Sequence, residues 1–200
     1  IVYLLSVTAA MLWVSAPPMA QDIIGTYIVQ LGLESVNANF GMLMTDVAIG
    51  AIVSAVVGTA LQNKIGVKWL LLLSAAFLVV GAAMSWLSAN DYTMLTIARV
   101  IAGLGIGFVA VSATTAVAMW FYDDKRAMAM ALWGTWVPVS MLIEYNIIVP
   151  LCAGTGDFHN TWMVITVMAV ISLVLVLFGY RKPPAGGQIS TEKTKLSESF

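Results

Sequence analysis

Residues Gly58–Lys68 read GTALQNKIGVK. Two lysines stand here without an acid, between two long apolar runs. Most of the chain is quite different. Of 200 residues, 60% are hydrophobic and 10% are charged, against roughly 25% charged in an ordinary soluble domain. The mean hydropathy is +0.94. With charges this sparse, position carries more information than the net charge of −1.

A helix needs about 20 mainly apolar residues to cross a bilayer. Six stretches meet that requirement: Ile1–Ile24, bent near Pro17 and Pro18; Phe40–Leu61; Trp69–Leu87; Tyr92–Phe121; Ala127–Cys152, with Pro138 inside it; and Trp162–Tyr180. The runs are about twice the length of a membrane strand and do not alternate, which selects helices over a barrel. The expected fold is all-α: a polytopic membrane protein with a six-transmembrane-helix bundle over residues 1–182. A polar tail or linker follows at 183–200. The chain opens on Ile1 rather than Met, as a processed product or a fragment does. Its first apolar run reaches Met19, longer than the about 7–15 residues of a signal peptide. The lone Cys152 leaves no internal disulfide framework.

The lysines of the opening stretch then set the orientation. Cytoplasmic connections collect Lys and Arg. Lys64 and Lys68 follow the second span, Lys125 and Arg126 the fourth, Arg181 and Lys182 the sixth. The other three connections carry Glu34, Asp91, Asp157 and His159 and no Lys or Arg. Both termini are therefore expected in the cytoplasm.

Asp46, Arg99 and Glu144 lie inside apolar spans, where an ionisable group costs about 2.5–3.5 kcal/mol on insertion scales. At ~1.5 Å per residue, Asp46 and Arg99 sit about 9 and about 10 Å in from the ends away from the lysines, and Glu144 about 25 Å from the lysine end. The three share a layer. Arg99 and Glu144 are expected as neighbours, with Asp46 the alternative partner. Arg99 reads as an anion contact or part of a proton relay, or as a structural cation for carboxylates or broken-helix carbonyls. Glu144 reads as a proton site or a fixed partner of Arg99, and Asp46 as a proton site or an acid facing water. Asp22 falls at a helix end.

Pro17, Pro18 and Pro138 each remove a backbone donor. Such breaks survive in a bilayer where protein or a water-filled cavity meets the freed groups. They are either helix breaks beside a solute path or passive kinks. Trp133 and Trp136 flank Gly134, and wall that path or face lipid. Gly103 and Gly107 share one helix face and permit close packing. The surrounding GLGIG follows no strand, which excludes a nucleotide loop. His159 and Asp157 are too few for a metal site and read as a solvated loop. The chain shows no Ser/His/Asp set, Cys pair or phosphate loop. No enzyme activity, cofactor, metal or nucleic-acid partner is expected.

GTALQNKIGVK also resembles the loop between helices two and three of the major facilitator superfamily, typically G-x-L-x-D-R-x-G-R-K. Aligned on Gly66, Asn63 takes the place of the acid, Lys64 the base and Lys68 the last base, while Thr59 replaces a Gly and Val67 a base. IARVIAGLGIGF (Ile97–Phe108) is similar to the family's fourth-helix motif. FYDDKRAMAMALWGTWVPVS (Phe121–Ser140) is similar to its fourth loop and fifth helix, and ALWGTWVPVS resembles the bacterial cyanate- and nitroimidazole-permease-like branch.

The resemblance covers the chain as an amino-terminal six-helix half of a twelve-helix fold. It implies a secondary transporter, or permease, of a bacterial inner membrane, moving a small solute by alternating access. A small anion is the favoured substrate, because Arg99 is the membrane-embedded base, and Glu144 or Asp46 would couple protons. The implied partners are the lipid bilayer, the small-molecule substrate and a second six-helix half, from the same gene or by self-association. The alternative is a six-helix accessory or structural membrane protein, or a truncated half, without transport of its own.

Overall fold

A computed structural model of the chain describes residues 1–29, 32, 35–88, 91–121 and 124–181. Within them, six helices are long and apolar enough to cross a membrane: α1 Val2–Val29, α2 Val36–Ile65, α3 Val67–Trp86, α4 Tyr92–Trp120, α5 Lys125–Ala153 and α6 Asn160–Gly179. The expected tail at 183–200 lies outside the described residues, as do Glu34 and Lys182.

The helices overrun the apolar stretches that announce them. α1 continues past Ile24 to Val29, and α2 starts ahead of Phe40 and reaches Ile65. A backbone ladder does not stop where hydrocarbon stops, so polar turns extend a span at little cost. The stretch Gly58–Lys68 is corrected accordingly: Asn63 and Lys64 close α2, Lys68 lies in the first turn of α3, and Gly66 alone separates the two helices. Gly66 has φ +84 and open space around its missing Cβ, so backbone conformation, not crowding, requires glycine there. Lys125 and Arg126 likewise belong to the start of α5.

α4 is the centre of the bundle. Asp91 caps its start, its carboxylate accepting the Thr93 and Met94 N–H groups at 2.9 and 3.1 Å. α4 packs between α2 and α3, and α1 packs against α4, α5 and α6. Contact with α2 depends on missing side chains. A Cβ on Gly103 would run into the Val47 carbonyl, and one on Gly107 into Ser54 and the Ala51 carbonyl. Ile52 and Val56 of α2, Met128 and Leu151 of α5, and Phe178 of α6 remain exposed. An apolar coat of that kind would aggregate in water and suits lipid.

Candidate functional site

α1 is broken in mid-span. It is α-helical over Val2–Val14, tightens to a 3-10 turn at Pro17–Met19, and widens to a π turn at Ile24–Val29. The cause is local. Pro17 has no N–H for the Trp13 carbonyl one turn back, and Pro18 has none for Val14. In hydrocarbon those two acceptors must find other donors.

They find them on neighbouring helices. Arg99 Nη2 of α4 donates to the Trp13 carbonyl at 3.1 Å, and the Tyr145 hydroxyl of α5 donates to the Val14 carbonyl at 3.3 Å. Arg99 Nη1 donates to the Leu12 carbonyl at 2.7 Å and to Ser15 Oγ at 3.0 Å, and Nε reaches the Leu43 carbonyl of α2 at 3.5 Å. Trp162 Nε1 of α6 donates to the same Ser15 Oγ at 3.1 Å. Arg99 and Trp162 are fully buried. The planar guanidinium suits this task because its donors fan out in one fork.

The two acids lie around this hub without closing on it. Glu144 is fully buried, and neither of its carboxyl oxygens has a hydrogen-bond partner. Asp46 is half-buried with Oδ2 unpartnered. Both lie within electrostatic range of Arg99. The expected neighbours are thus electrostatically coupled, but Arg99 and Glu144 make no contact ion pair: among the described residues the ion pair found is His159–Asp157. The physical reason is that the freed carbonyls already hold the guanidinium. The same fact removes the basis for a small-anion substrate, since Arg99 already serves the carbonyls of α1.

Glu144 opens a second π turn, Glu144–Ile148, in which the Val149 N–H reaches back to the Glu144 carbonyl. Pro150 follows at once and cannot continue the regular ladder. Upstream, α5 breaks at Gly134–Thr135, because Pro138 offers no N–H to the Gly134 carbonyl and sits in the first turn of the restarted helix Trp136–Ile143. Trp133 and Trp136 flank that break and stack with ring centroids 5.6 Å apart. Both pack against the core rather than facing away from it. Trp133 Nε1 donates to Ser6 Oγ at 3.0 Å, and the Tyr3 and Thr135 hydroxyls meet at 2.7 Å. The α1–α5 seam is therefore polar along its length.

Tyr145, Ser15, Trp162 and Pro150 were not singled out from the sequence. The available signal was a count: two consecutive prolines orphan two carbonyls, so two long donors are needed at that depth. His159 also departs from expectation. Its side chain is 13% exposed and bonds to Tyr27, so it is not a freely solvated loop residue.

A bundle of six helices long and apolar enough to cross a membrane, with broken spans and with one buried and one half-buried acid around a fixed cation, defines a polytopic membrane protein. The chain belongs to the Major Facilitator Superfamily, whose pattern it matches over residues 1–199. A D-xylose transporter of Levilactobacillus brevis is 29% identical over 159 residues, covering 80% of this chain and 34% of that protein. Myo-inositol transporter 1A of Cryptococcus neoformans is 24% identical over 159 residues, covering 75% of this chain and 27% of that protein. Among solved structures, the partially occluded inward-open xylose transporter XylE of E. coli superposes with a TM-score of 0.80 at 15% identity, covering 88% of this chain and 47% of that one. The inward-open form of XylE gives 0.79 at 14% identity. Those superpositions establish half of the superfamily's fold. The chain spans about a third of the length of the curated relatives it matches. Resemblance to the cyanate- and nitroimidazole-permease-like branch gains no support from these relatives, which are sugar and inositol carriers by name.

Proposed function

We propose that the chain is the amino-terminal half of a proton-coupled secondary transporter for a small, neutral, polyhydroxylated solute, a sugar or cyclitol. It works by alternating access with a second six-helix half, and both termini lie in the cytoplasm of a bacterial inner membrane. The observation that carries this reading is the broken α1, whose freed carbonyls are held by Arg99 and Tyr145 beside the unpartnered carboxyls of Glu144 and Asp46. Irregular backbone and uncompensated acids persist at membrane depth where they line a path. Helix breaks at the midplane are how many secondary transporters build their sites.

A neutral polyol favours hydrogen-bonding groups over net charge, which suits a site whose cation is already engaged. The named substrates of the matched relatives support the same class. Glu144 and Asp46 act as the proton-exchanging groups. The test is counterflow and pH-driven uptake of D-xylose and myo-inositol by the full-length protein in proteoliposomes. Exchange of either solute, with Glu144→Gln removing pH-driven uptake but sparing exchange, is the expected result. Exchange of a small organic anion with neither polyol moving would overturn the substrate class.

A further inference from the structure

At the lysine end of the bundle, the start of α1, the end of α4, the start of α5 and the close of α6 leave a cleft of about 670 Å³ between them. That is within the ~300–1,000 Å³ of ordinary ligand sites. Its interior is apolar. Met128 and Leu132 of α5 stand 79% and 66% exposed along one wall, uncovered by any described part of the chain. Two cations share the lining, Lys125 in the first turn of α5 and Arg181 just past α6. Both are exposed. None of the side chains described there is acidic, and neither cation enters an ion pair among the described residues.

Trp120 and Tyr180, aromatic rings with one polar edge, line the cleft as well. Trp120 closes α4 and Tyr180 caps α6, the depth at which such rings anchor a span among headgroups. Tyr180 is buried. Its hydroxyl makes no hydrogen bond of ordinary geometry, and the Trp120 indole is its polar neighbour.

The chemistry of the occupant follows from that order. Apolar walls with cations at one end fit a long apolar body with an anionic head. A free phosphate would leave the walls uncovered, and a neutral lipid would leave two charges without a counter-charge. Lysine and arginine stems lie along apolar walls while their heads stay in water, so both suit a phosphodiester at the lip. The arginine fork takes phosphate oxygens in pairs, and lysine acts as a point charge. Basic pockets between spans on the cytoplasmic side are where anionic headgroups bind. A second concavity, of about 640 Å³, supplies the contrast. It is lined by Ile65, Trp69, Leu72 and Leu73, with no charged group in its described lining. Any acyl chain suits that one.

We propose that the cleft between α1, α4, α5 and α6 binds one anionic phospholipid, with an acyl chain along Met128 and Leu132 and the headgroup phosphate held by Lys125 and Arg181. Trp133 also lines the cleft, beside the break in α5, and its indole is tied to Ser6 of α1. The bound lipid therefore braces the α1–α5 seam. The proposal does not depend on which solute is carried.

Native mass spectrometry of the full-length protein, released from mild detergent, reads the site directly. With phosphatidylglycerol and phosphatidylcholine added in equal amounts, one phosphatidylglycerol should be retained in preference. A basic residue near an anionic headgroup contributes about fivefold to binding, so Lys125→Gln with Arg181→Gln should lower that preference about 25-fold. Lys64→Gln with Lys68→Gln, an equal loss of charge at the same end, should leave it within about twofold of wild type. Phosphatidylglycerol with a photoactivatable acyl chain should label the α5 wall at Met128 and Leu132. Equal retention of the two lipids, an equal loss in both double variants, or label that avoids the cleft would overturn the site. The last of these is the result expected if residues 183–200 or a neutral lipid sat there instead.

Discussion

Replacing Arg99 by Ala tests whether the carbonyls of α1 are what Arg99 is for. The substitution removes donors at 2.7, 3.0 and 3.1 Å and a longer contact at 3.5 Å. A hydrogen bond from a charged group contributes about 1.5–3 kcal/mol. Three such bonds would sum to about 4.5–9 kcal/mol, but they share one side chain and are not additive. Loss of Arg99 also relieves the desolvation of a buried cation. About 4 kcal/mol of net destabilisation is the expected outcome, large for a point substitution. For about 200 residues, 1 kcal/mol shifts Tm by roughly 2–4 °C, so a drop of about 8–16 °C is predicted. Cys152 is the single cysteine and is buried, so a thiol-reactive dye reports unfolding in mild detergent without further labelling. Arg99→Lys keeps the charge but not the fork and should recover less than half of the loss. A Tm for Arg99→Ala within about 2 °C of wild type, less than the effect of 1 kcal/mol, would refute the reasoning. Full recovery by Arg99→Lys would show that charge alone matters.

Three further outcomes are expected. Gly103→Ala drives a methyl into the Val47 carbonyl across the α2–α4 contact and should cost about 1–3 kcal/mol by overpacking, read in the same dye assay. Asp157 has a depressed pKa in the folded chain, from hydrogen bonds and charge at His159 that overcome its desolvation. Its stabilising contribution is therefore present above the ordinary carboxylate value of about 3.9 and lost as pH falls through the folded value. Melting curves across that acidic window should fall for wild type and stay flatter for Asp157→Asn. Single cysteines in a Cys152→Ser background should label from the cytoplasm at Asn63 and Lys125, and from the other side at Asp91 and Asp157. The reverse pattern would invert the orientation drawn from the lysines.

How far the sequence could be read depended on which coordinate was asked for. Depth along a span follows from a rise of ~1.5 Å per residue, and that was enough to expect Asp46, Arg99 and Glu144 near one another, as their electrostatic coupling bears out. Azimuth does not follow from an apolar helix, because a span surrounded by lipid and protein shows little polar contrast around its circumference. So the sequence could not show that Arg99 turns towards α1 and leaves Glu144 unpaired. It also could not show that Trp133 and Trp136 turn inward to the core. The solvated reading of His159 failed for a related reason. A connection looks exposed in sequence, but Tyr27 lies 132 residues away and no local pattern announces such a partner.

The two prolines of α1 show what a stricter reading of backbone chemistry recovers. Each one orphans a carbonyl at a known position, Trp13 for Pro17 and Val14 for Pro18, and a bilayer supplies no solvent to meet them. The chain must then place two long donors at that depth on adjacent helices. Few candidates exist among its spans, and Arg99 and Tyr145 are the ones that bind there. The same step bears on substrate class. A guanidinium already shared among Leu12, Trp13 and Ser15 could bind an anion only by releasing carbonyls that would then lie bare in hydrocarbon. Binding would have to overcome that cost in addition to the desolvation of the anion itself. A neutral polyol, which brings both donors and acceptors, requires no such release.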